Sequence, residues 1–213
     1  MKILNLYACL GGNRYKWDEV TDVEVTAVEW DEELAKLYQE RFPNDTVIVA
    51  DAHQYLLDHY KEFDFIWSSP PCPTHSRFNL SMKTKRDMKY PDMKLYEEII
   101  FLDTFYNGKY VVENVIPYYE PLIPAQKRHR HLYWTNFVLP NILSVRDAPK
   151  LGRTVGEVNA LSEFHDYDFR KYKGSQVIHK IARNLVDYEA GRTILETAVG
   201  IIRKQDEKQI ELF

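Results

Sequence analysis

Three short segments carry residue types that could do covalent chemistry, and they follow one another along the chain. Cys72 comes directly after two prolines, Glu113 ends an apolar run, and Arg128 and Arg130 stand two residues apart. A cysteine held on a rigid proline turn is a candidate nucleophile. A carboxylate can exchange a proton with a substrate, and guanidinium groups can stabilise developing charge. Together the segments indicate one reaction that none of them indicates alone.

Each of these residues also has an interpretation without chemistry. A lone cysteine is most often a small buried side chain, so Cys72 could simply pack in the core. Glu113 could form an ion pair at the end of its strand, and the two arginines could lie on a solvated face beside His129 and His131. The proline turn and the nearby arginines favour a reactive thiolate at Cys72 instead.

The length and composition of the chain limit its class. Its 213 residues suffice for one α/β domain with a core but are few for two. No apolar run is long enough to span a membrane, and the first six residues read as a strand rather than a signal peptide. The two cysteines, Cys9 and Cys72, lie far apart without zinc-type spacing. This cysteine usage predicts a protein of the reducing cytoplasm and no metal site.

The charge is unevenly distributed. The net charge is −4, so the chain as a whole lacks the charge of a nonspecific nucleic-acid binder. The segment Arg77–Lys94, however, contains six basic and two acidic residues and follows Cys72 closely. A charged run is often only a solvated loop. Because this one lies beside the candidate nucleophile, it predicts a lid that contacts phosphates.

Strands and helices alternate in the first half of the chain. The apolar pattern predicts five strands, at residues 2–7, 23–29, 46–50, 63–68 and 110–113. It predicts helices between them, at residues 31–42, 53–60 and 93–106. This alternation predicts an α/β fold with a doubly wound, mostly parallel sheet. Ligands bind at the carboxyl ends of strands in such sheets, and the predicted ends carry Gly11, Gly12, Glu29, Asp51, Cys72 and Glu113.

The pattern is weaker after Trp134. Residues 138–152 contain two prolines and no clear periodicity, whereas residues 178–202 have the apolar spacing of one helix. Residues 203–208 are charged and are predicted to be loose. Residues 1–213 are therefore predicted to form a single catalytic domain that ends in a tail at 203–213.

Residues at the first strand ends are candidates for binding a nucleotide-like cofactor. Paired glycines, Gly11 and Gly12, let a ligand approach the backbone closely. Glu29 ends the next strand, where an acidic residue can bind a ribose diol, although it could be an ordinary surface residue. Trp30 could stack on an adenine or lie in the core. Asp51 could accept from an adenine amine or cap the helix that follows.

In sequence order, these motifs resemble those of the cytosine C5-specific DNA methyltransferases, which use S-adenosylmethionine. The turn Tyr7–Gly12 resembles the family's Phe-Ala-Gly-x-Gly-Gly, and Ser69–Cys72 matches its nucleophile motif. Glu113–Val115 is identical to its Glu-Asn-Val, and Gln126–Arg130 is identical to its Gln-x-Arg-x-Arg. Asn184–Val186 resembles the motif that closes the cofactor pocket. The resemblance is collinear over almost the whole chain and implies a Rossmann-like class I S-adenosylmethionine-dependent methyltransferase.

The resemblance implies a role for each matching residue. Cys72 would attack C6 of cytosine, and Glu113 would contact N3 and the exocyclic amine. Arg130, together with Arg128, would hold the base and the developing charge. The implied cofactor-binding residues are Tyr7, Ala8, Leu10, Gly11, Gly12, Glu29, Trp30, Asp51, Ala52, Pro71 and Asn184.

Several single positions depart from the family's pattern. Cys9 and Ala50 stand where the family has glycine, which puts the cofactor affinity in question. Pro73 stands where glutamine follows the cysteine, and Arg183 stands where a glycine precedes the asparagine.

A larger departure is a missing region. Family members that read DNA sequence carry a long target-recognition region after the arginine motif, and here residues 138–152 are a vestige of it. A remnant of the family's ninth motif follows at residues 153–167, with Ala160 and Ser162 in place of the arginine and glutamine that brace the recognition region. The resemblance therefore implies a DNA methyltransferase of low intrinsic sequence specificity.

Other substrates and partners remain open from the sequence. Free cytidine nucleotides or RNA are alternative substrates, and a catalytically silent nucleic-acid-binding homologue is a further alternative, against which the intact Cys72 and Glu113 count. The last five residues, Gln209–Phe213, resemble the peptide by which bacterial replication proteins bind the sliding clamp, or they form an amphipathic tail on their own domain. The small size suggests a phage protein in the cytoplasm of its host.

Overall fold

The computed structural model describes residues 1–81, 87–143, 146, 147, 149 and 155–201. Within them the strands are β1 (Lys2–Leu6), β2 (Glu24–Glu29), β3 (Thr46–Val49), β4 (Phe65–Ser68), β5 (Lys109–Val115), β6 (Gln126–Arg128) and β7 (His131–Thr135). The helices are α1 (Glu32–Arg41), α2 (Ala52–His59), α3 (Lys94–Phe105), α4 (Val155–His165), α5 (Ile178–Asn184) and α6 (Tyr188–Ala198).

The described strands form one sheet in the order β3-β2-β1-β4-β5-β7-β6. The first five in this order are parallel, and β7 pairs antiparallel with both β5 and β6. The prediction of a doubly wound, mostly parallel sheet is confirmed. Strands β1 to β5 lie within three residues of the predicted ones. Strands β6 and β7 were not predicted, and the Gln-Lys-Arg sequence of β6 offers no apolar pattern.

The central strands are buried on both faces of the sheet. Ile3 of β1 packs on one face with Trp17 and with Ile194 of α6. Leu4, its neighbour in β1, packs on the other face with residues of α2 and α3 such as Leu56 and Leu102. Successive side chains of a strand point to opposite faces, so a strand covered on both sides must be apolar throughout. This is the physical reason for the short apolar runs in the sequence.

One helix prediction is wrong. Residues 178–202 were predicted as a single helix, but α5 ends at Asn184 and α6 begins at Tyr188. Between them Leu185 is buried in extended conformation, and the Asp187 side chain caps α6 by accepting from the backbone N–H of Glu189. Apolar spacing alone did not reveal the break, because Leu185 within the break is buried as well.

Several predictions concern residues outside the described set. These residues are 82–86 within the basic segment, 144, 145, 148 and 150–152 within the predicted vestige of the recognition region, 153–154 at the start of the predicted ninth-motif remnant, and 202–213 at the end of the chain. The described part of that remnant contains α4, a helix that the sequence pattern did not predict. No helix formed by the described residues is long and apolar enough to cross a membrane.

Candidate active site

The candidate residues meet at the carboxyl ends of the central strands. β1 lies between β2 and β4, and the chain continues outward on either side of it. Such a reversal of strand order opens a crevice in which ligands bind. Leu6 is in register with both Val28 and Ser68. The glycine turn after β1 therefore lies between Glu29 and the Pro-Pro-Cys turn.

The turn after β1 uses backbone conformations that favour glycine. Tyr7, Cys9 and Gly11 have φ values of 56°, 49° and 66°. Cys9 stands where the resembled family has glycine, and its positive φ supplies the physical reason for that preference. Glu29 supports the turn, because its carboxylate accepts from the backbone N–H of Cys9 at 2.8 Å and of Asp31 at 3.0 Å.

Glu29 is thus part of the scaffold of the turn as well as a candidate ligand. Its side chain is almost fully buried, and this burial raises the pKa of its carboxyl group. A carboxylate has about four acceptor positions, so two backbone bonds leave capacity for a ribose hydroxyl. The predicted ribose contact is compatible with this geometry.

The close packing of the segment between α5 and α6 requires glycine at position 12. A Cβ atom at Gly12 would lie 2.3 Å from the carbonyl oxygen of Val186 and 2.5 Å from the side chain of Leu185. The segment between α5 and α6 therefore packs directly on the glycine turn. Asn184, the predicted cofactor residue of this segment, is exposed at the end of α5.

A pocket opens beside the glycine turn. Its walls are formed by Tyr7, Val28, Trp30, Ala50, Asp51, Ala52, Pro71, Asp92 and Lys94. The sequence analysis had named five of these nine, and it missed the four residues Val28, Ala50, Asp92 and Lys94. Trp30 is 65% exposed, so its ring is available to stack on a planar ligand. Ala8 and Leu10, also predicted to bind cofactor, are buried in packing clusters behind the turn.

Asp51 caps the following helix, as one of the two interpretations predicted, and it also lines the pocket. One of its oxygens accepts from the backbone N–H of Gln54 at 2.9 Å and caps α2, which holds the pKa of the carboxyl group below its usual value. Its other oxygen lies 3.6 Å from the Lys94 ammonium group in the pocket wall. Lys94, which was predicted to belong to a phosphate-binding lid, therefore lies in the wall of this pocket.

A buried carboxylate connects the cofactor pocket to the nucleophile turn. Glu98 of α3 is fully buried and accepts from the hydroxyls of Tyr7 and Ser68, each at 2.6 Å. The Nδ1 atom of His53 lies 3.0 Å from the same carboxylate, and this hydrogen bond raises the pKa of His53. Buried carboxylates are tolerated only with such partners. The sequence analysis missed Glu98. A signal was available, because this carboxylate lies on the same buried face of α3 as the apolar residues Leu95, Ile99 and Leu102.

The Pro-Pro-Cys turn is held in place by its neighbours. The carbonyl oxygen of Cys72 accepts from the backbone N–H groups of His75 at 3.0 Å and Ser76 at 2.9 Å. The side-chain amide of Asn114 donates to the carbonyl oxygen of Pro70 at 3.0 Å. Strand β5, which carries Asn114, therefore fixes the turn that follows β4.

Cys72 and Glu113 interact electrostatically. Burial and the negative charge of Glu113 raise the pKa of the Cys72 thiol to about 11. The two predicted catalytic residues therefore lie in one site. The expectation that the proline turn and the arginines favour a thiolate is wrong for this state, because desolvation and a neighbouring carboxylate both favour the neutral thiol.

The two arginines differ in their surroundings. The Arg128 guanidinium donates to the carbonyl oxygens of Leu139 and Pro140 and so anchors the segment after β7. Arg130 lies exposed in the turn between β6 and β7. Of the two, Arg130 is the one whose guanidinium is positioned to meet a ligand from outside, whereas the described contacts of Arg128 are structural.

The basic segment is anchored near both of its ends. The Asn79 side chain is buried, donates to the carbonyl oxygen of Lys89 at 2.7 Å and accepts from its N–H at 3.0 Å. The N–H of Asp92 donates to the Thr74 hydroxyl at 3.1 Å. Several described side chains of the segment are exposed: Arg77, Phe78, Leu80, Lys89 and Tyr90.

Comparisons with known proteins identify the family to which the sequence is similar. The sequence matches the family of C-5 cytosine-specific DNA methylases over residues 1–117. No curated protein matches the chain. Among solved structures, it is similar to a DNMT2 mutant from Spodoptera frugiperda, with 28% identity over 54% of this chain and 35% of that chain and a TM-score of 0.41.

Two further solved structures are similar at lower identity. One is a putative DNA modification methyltransferase encoded within a prophage of E. coli, with 18% identity over 56% of this chain and 34% of that chain and a TM-score of 0.40. The other is SMU.776, a putative methyltransferase complexed with SAH, with 16% identity over 53% of this chain and 30% of that chain and a TM-score of 0.39. These matches span about a third of the length of each of those chains.

The family match covers more than half of the chain and includes the glycine turn, the pocket, the Pro-Pro-Cys turn and Glu113. The fold is the Rossmann-like α/β fold of class I methyltransferases. The chain therefore belongs to the C-5 cytosine-specific DNA methylase family, with S-adenosylmethionine as its cofactor.

Proposed function

We propose that the chain transfers a methyl group from S-adenosylmethionine to C5 of cytosine in DNA, through a covalent bond between Cys72 and C6 of the base. The observation that carries this proposal is the adjacency of two sites. Pro71 forms part of the wall of the pocket, and Cys72 is the next residue. The negative charge of Glu113 raises the pKa of the Cys72 thiol. A base held by Glu113 and attacked by Cys72 would thus present C5 toward the pocket.

The residues around the pocket fit the cofactor. The exposed Trp30 ring suits an adenine, and Glu29, fixed by two backbone N–H groups, suits a ribose. The backbone of the turn through Gly11 lets a ligand lie close to the strand end. When bound, the cofactor supplies a methyl group on a positively charged sulfur.

Cys72 would begin the reaction by attacking C6 of the base. The S–H bond breaks and its proton leaves to solvent, the bond between sulfur and C6 forms, the C5–C6 double bond opens, and N3 takes a proton from Glu113, so that C5 becomes nucleophilic. After C5 has gained the methyl group, a base removes the C5 proton, and an ordered water would serve for this step. Departure of the Cys72 sulfur then restores the double bond, and N3 returns its proton to Glu113.

The raised pKa of Cys72 suggests how the thiol would be activated. The charge of Glu113 is one of its two causes. A cytosine whose N3 and amine share hydrogen bonds with Glu113 would reduce the effect of that charge on the sulfur, and the pKa of Cys72 would fall as the base binds. Under this proposal the nucleophile is activated only when its substrate is present.

DNA is the proposed substrate because of the family and of the surface beside Cys72. Arg130, Arg77 and Lys89 are exposed around the site and would contact phosphates. A cytosine in duplex DNA would have to leave the base stack to reach Cys72. The described residues between β7 and α4 contain neither helix nor strand. The shortness of this connection, residues 136–154, supports a low intrinsic sequence specificity.

Transfer of labelled methyl from S-adenosylmethionine tests the proposal. The acceptors are duplex DNA, single-stranded DNA, tRNA and free dCMP, with wild type and Cys72→Ala side by side. We expect label in DNA and a loss of about 10⁴-fold or more in the variant, because a missing nucleophile leaves no covalent route. Label only in dCMP or tRNA would replace DNA as the substrate, and no label with any acceptor would favour a silent binding protein.

A mechanism-based substrate makes the test of Cys72 sharper. Cytosine with fluorine at C5 cannot lose a proton there, so the covalent intermediate should accumulate on the enzyme. We expect a denaturant-stable adduct on DNA that contains this base, mapped to Cys72 and absent from Cys72→Ala. An adduct mapped to Cys9 would contradict the assignment.

A partner protein that recruits the enzyme to particular DNA would offset its low intrinsic sequence specificity. The motif Gln209–Phe213 lies outside the described residues. Binding of a bacterial sliding clamp through it stays a prediction, which deletion of these five residues would test against unchanged transfer to short oligonucleotides. Clamp binding would raise the local concentration of DNA at the site.

A further inference from the structure

His131 lies beside Glu113 on the same face of the sheet. In the antiparallel pair of β5 and β7, Glu113 is in register with Tyr133 and Val115 with His131. Residues two apart in a strand share a face, so Glu113 and His131 are diagonal neighbours. The Nε2 atom of His131 lies 3.5 Å from Oε1 of Glu113.

The two side chains differ in their access to solvent. The Glu113 side chain is 9% exposed, and that of His131 is 36% exposed. A base bound on Cys72 and Glu113 would cover the remaining face of the carboxylate. His131 therefore offers Glu113 a direct connection to solvent.

The neighbouring groups on β6, on β7 and after β4 have interactions of their own. Arg128 of β6 is opposite His131 in the sheet, but its guanidinium binds the backbone carbonyls after β7. Burial and the charges of Glu113 and Asp187 hold the pKa of Tyr133 far above its usual range, so this phenol stays neutral. On the side of β4 the facing group is the Cys72 thiol, on which Glu113 acts directly.

We propose that His131 exchanges the catalytic proton with Glu113, and that its charge state sets the alkaline limit of the reaction. The inference rests on the proposed methyl transfer. When sulfur adds to C6, the N–H bond of protonated His131 breaks, Glu113 passes a proton to N3, and His131 becomes neutral. When sulfur leaves C6, the N3 proton returns to Glu113 and then to His131. Imidazole is the side chain suited to this exchange near neutral pH.

A pH profile of kcat tests the proposal, because a purely structural histidine would not move it. His131→Gln keeps an N–H donor for Glu113 but cannot release a proton. We expect kcat to fall by about tenfold to a hundredfold, as for loss of a general acid, with KM little changed and the alkaline limb absent. His129→Asn is the matched control, because His129 lies in the neighbouring turn at a φ of 50° that asparagine adopts readily. It should keep the wild-type profile.

Two results would overturn the inference. One is a His131→Gln profile with the wild-type alkaline limb, and the other is a change confined to KM, which would make His131 only a binding residue. Failure of the wild type to methylate any cytosine would instead overturn the proposed function.

A measurement without turnover separates these failures. The pH profile of Cys72 alkylation should differ between the wild type and His131→Gln, because His131 lies beside the Glu113 carboxylate whose charge acts on the thiol. Identical profiles in the two proteins would contradict the coupling, whatever the activity.

Discussion

The proposed cofactor side and the proposed base side of this crevice are built differently. Around the glycine turn the polar groups are satisfied within the protein: Glu29 by two backbone N–H groups, Asp51 by a helix end, and Glu98 by two hydroxyls and an imidazole. Around Cys72 the side chains interact mainly by electrostatics. Glu113 raises the pKa of the thiol and lies within 3.5 Å of His131, and Arg130 is exposed.

The difference suggests a division of work. A side whose hydrogen bonds are complete is preorganised and can bind its ligand without rearrangement. A side whose charges are incompletely balanced changes its protonation when a ligand arrives. We expect substitutions on the first side to affect stability and cofactor affinity, and those on the second to affect pH dependence and rate.

Glu98→Leu should give the largest loss of stability. It would leave the hydroxyls of Tyr7 and Ser68 and the His53 ring without their partner, at about 1–3 kcal/mol for each buried polar group left unsatisfied. Because some groups can relax, we expect a total of about 3 kcal/mol in the free energy of unfolding, together with weaker S-adenosylmethionine binding by calorimetry. Glu97→Gln in the same helix is the control: it removes only an exposed carboxylate 3.6 Å from Nε2 of His53 and should change stability by less than about 0.5 kcal/mol. Equal effects of the two substitutions would show that Glu98 does not organise the site.

Gly12→Ala should have a smaller but clear effect. The added methyl group would meet the carbonyl oxygen of Val186 at 2.3 Å, so the segment between α5 and α6 must move. We expect a loss of about 1–3 kcal/mol, as for overpacking, in urea unfolding. Gly200→Ala is the control that isolates backbone strain from steric crowding. Gly200 has a φ of 81°, and no atom lies within 4 Å of its Cβ position. A stable Gly12→Ala protein with unchanged cofactor affinity would contradict the close packing.

The pH dependence of Cys72 alkylation should change without a large change in stability. In the wild type the rate should rise with pH toward a midpoint near 11, because the thiolate is the reactive form and its pKa is raised to about 11. In Glu113→Gln one cause of this raised pKa is removed, so the midpoint should move to lower pH while burial keeps it above an exposed thiol. Mapping of the modified peptide distinguishes Cys72 from Cys9. A midpoint that stays at the wild-type value would show that the charge of Glu113 does not raise the pKa of Cys72.

The sign of the stability effect follows from the same shift. Since the pKa of Cys72 is higher in the folded protein than in the unfolded chain, folding favours the neutral thiol. The contribution is fully present below the pKa of the unfolded thiol and is lost as the pH rises toward about 11. Glu113→Gln should reduce this alkaline loss.

Local motifs made part of the site predictable. Tyr7, Trp30, Asp51, Ala52 and Pro71 were named from sequence and lie in the wall of the pocket, because strand ends in a parallel sheet meet at one edge. Val28, Ala50, Asp92 and Lys94 were not named as cofactor-binding residues, since only the folded chain brings the start of α3 back to the ends of β2 and β3.

The charge state of the nucleophile was beyond the sequence. The arginines near Cys72 in the motif order suggested a thiolate, but the Arg128 guanidinium is bound by backbone carbonyls and Glu113 is the nearer influence. Motif order gives the identity of the groups in a site. It does not give their burial or their orientation, which set a pKa.

The sequence by itself determined the parallel sheet, the family and the positions of Cys72 and Glu113, because apolar periodicity and short motifs are local properties of the chain. The tertiary structure decided the break between α5 and α6, the Glu98 network and the pairing of His131 with Glu113. These depend on contacts between residues far apart in the chain, and such contacts are set only when the sheet and its helices pack.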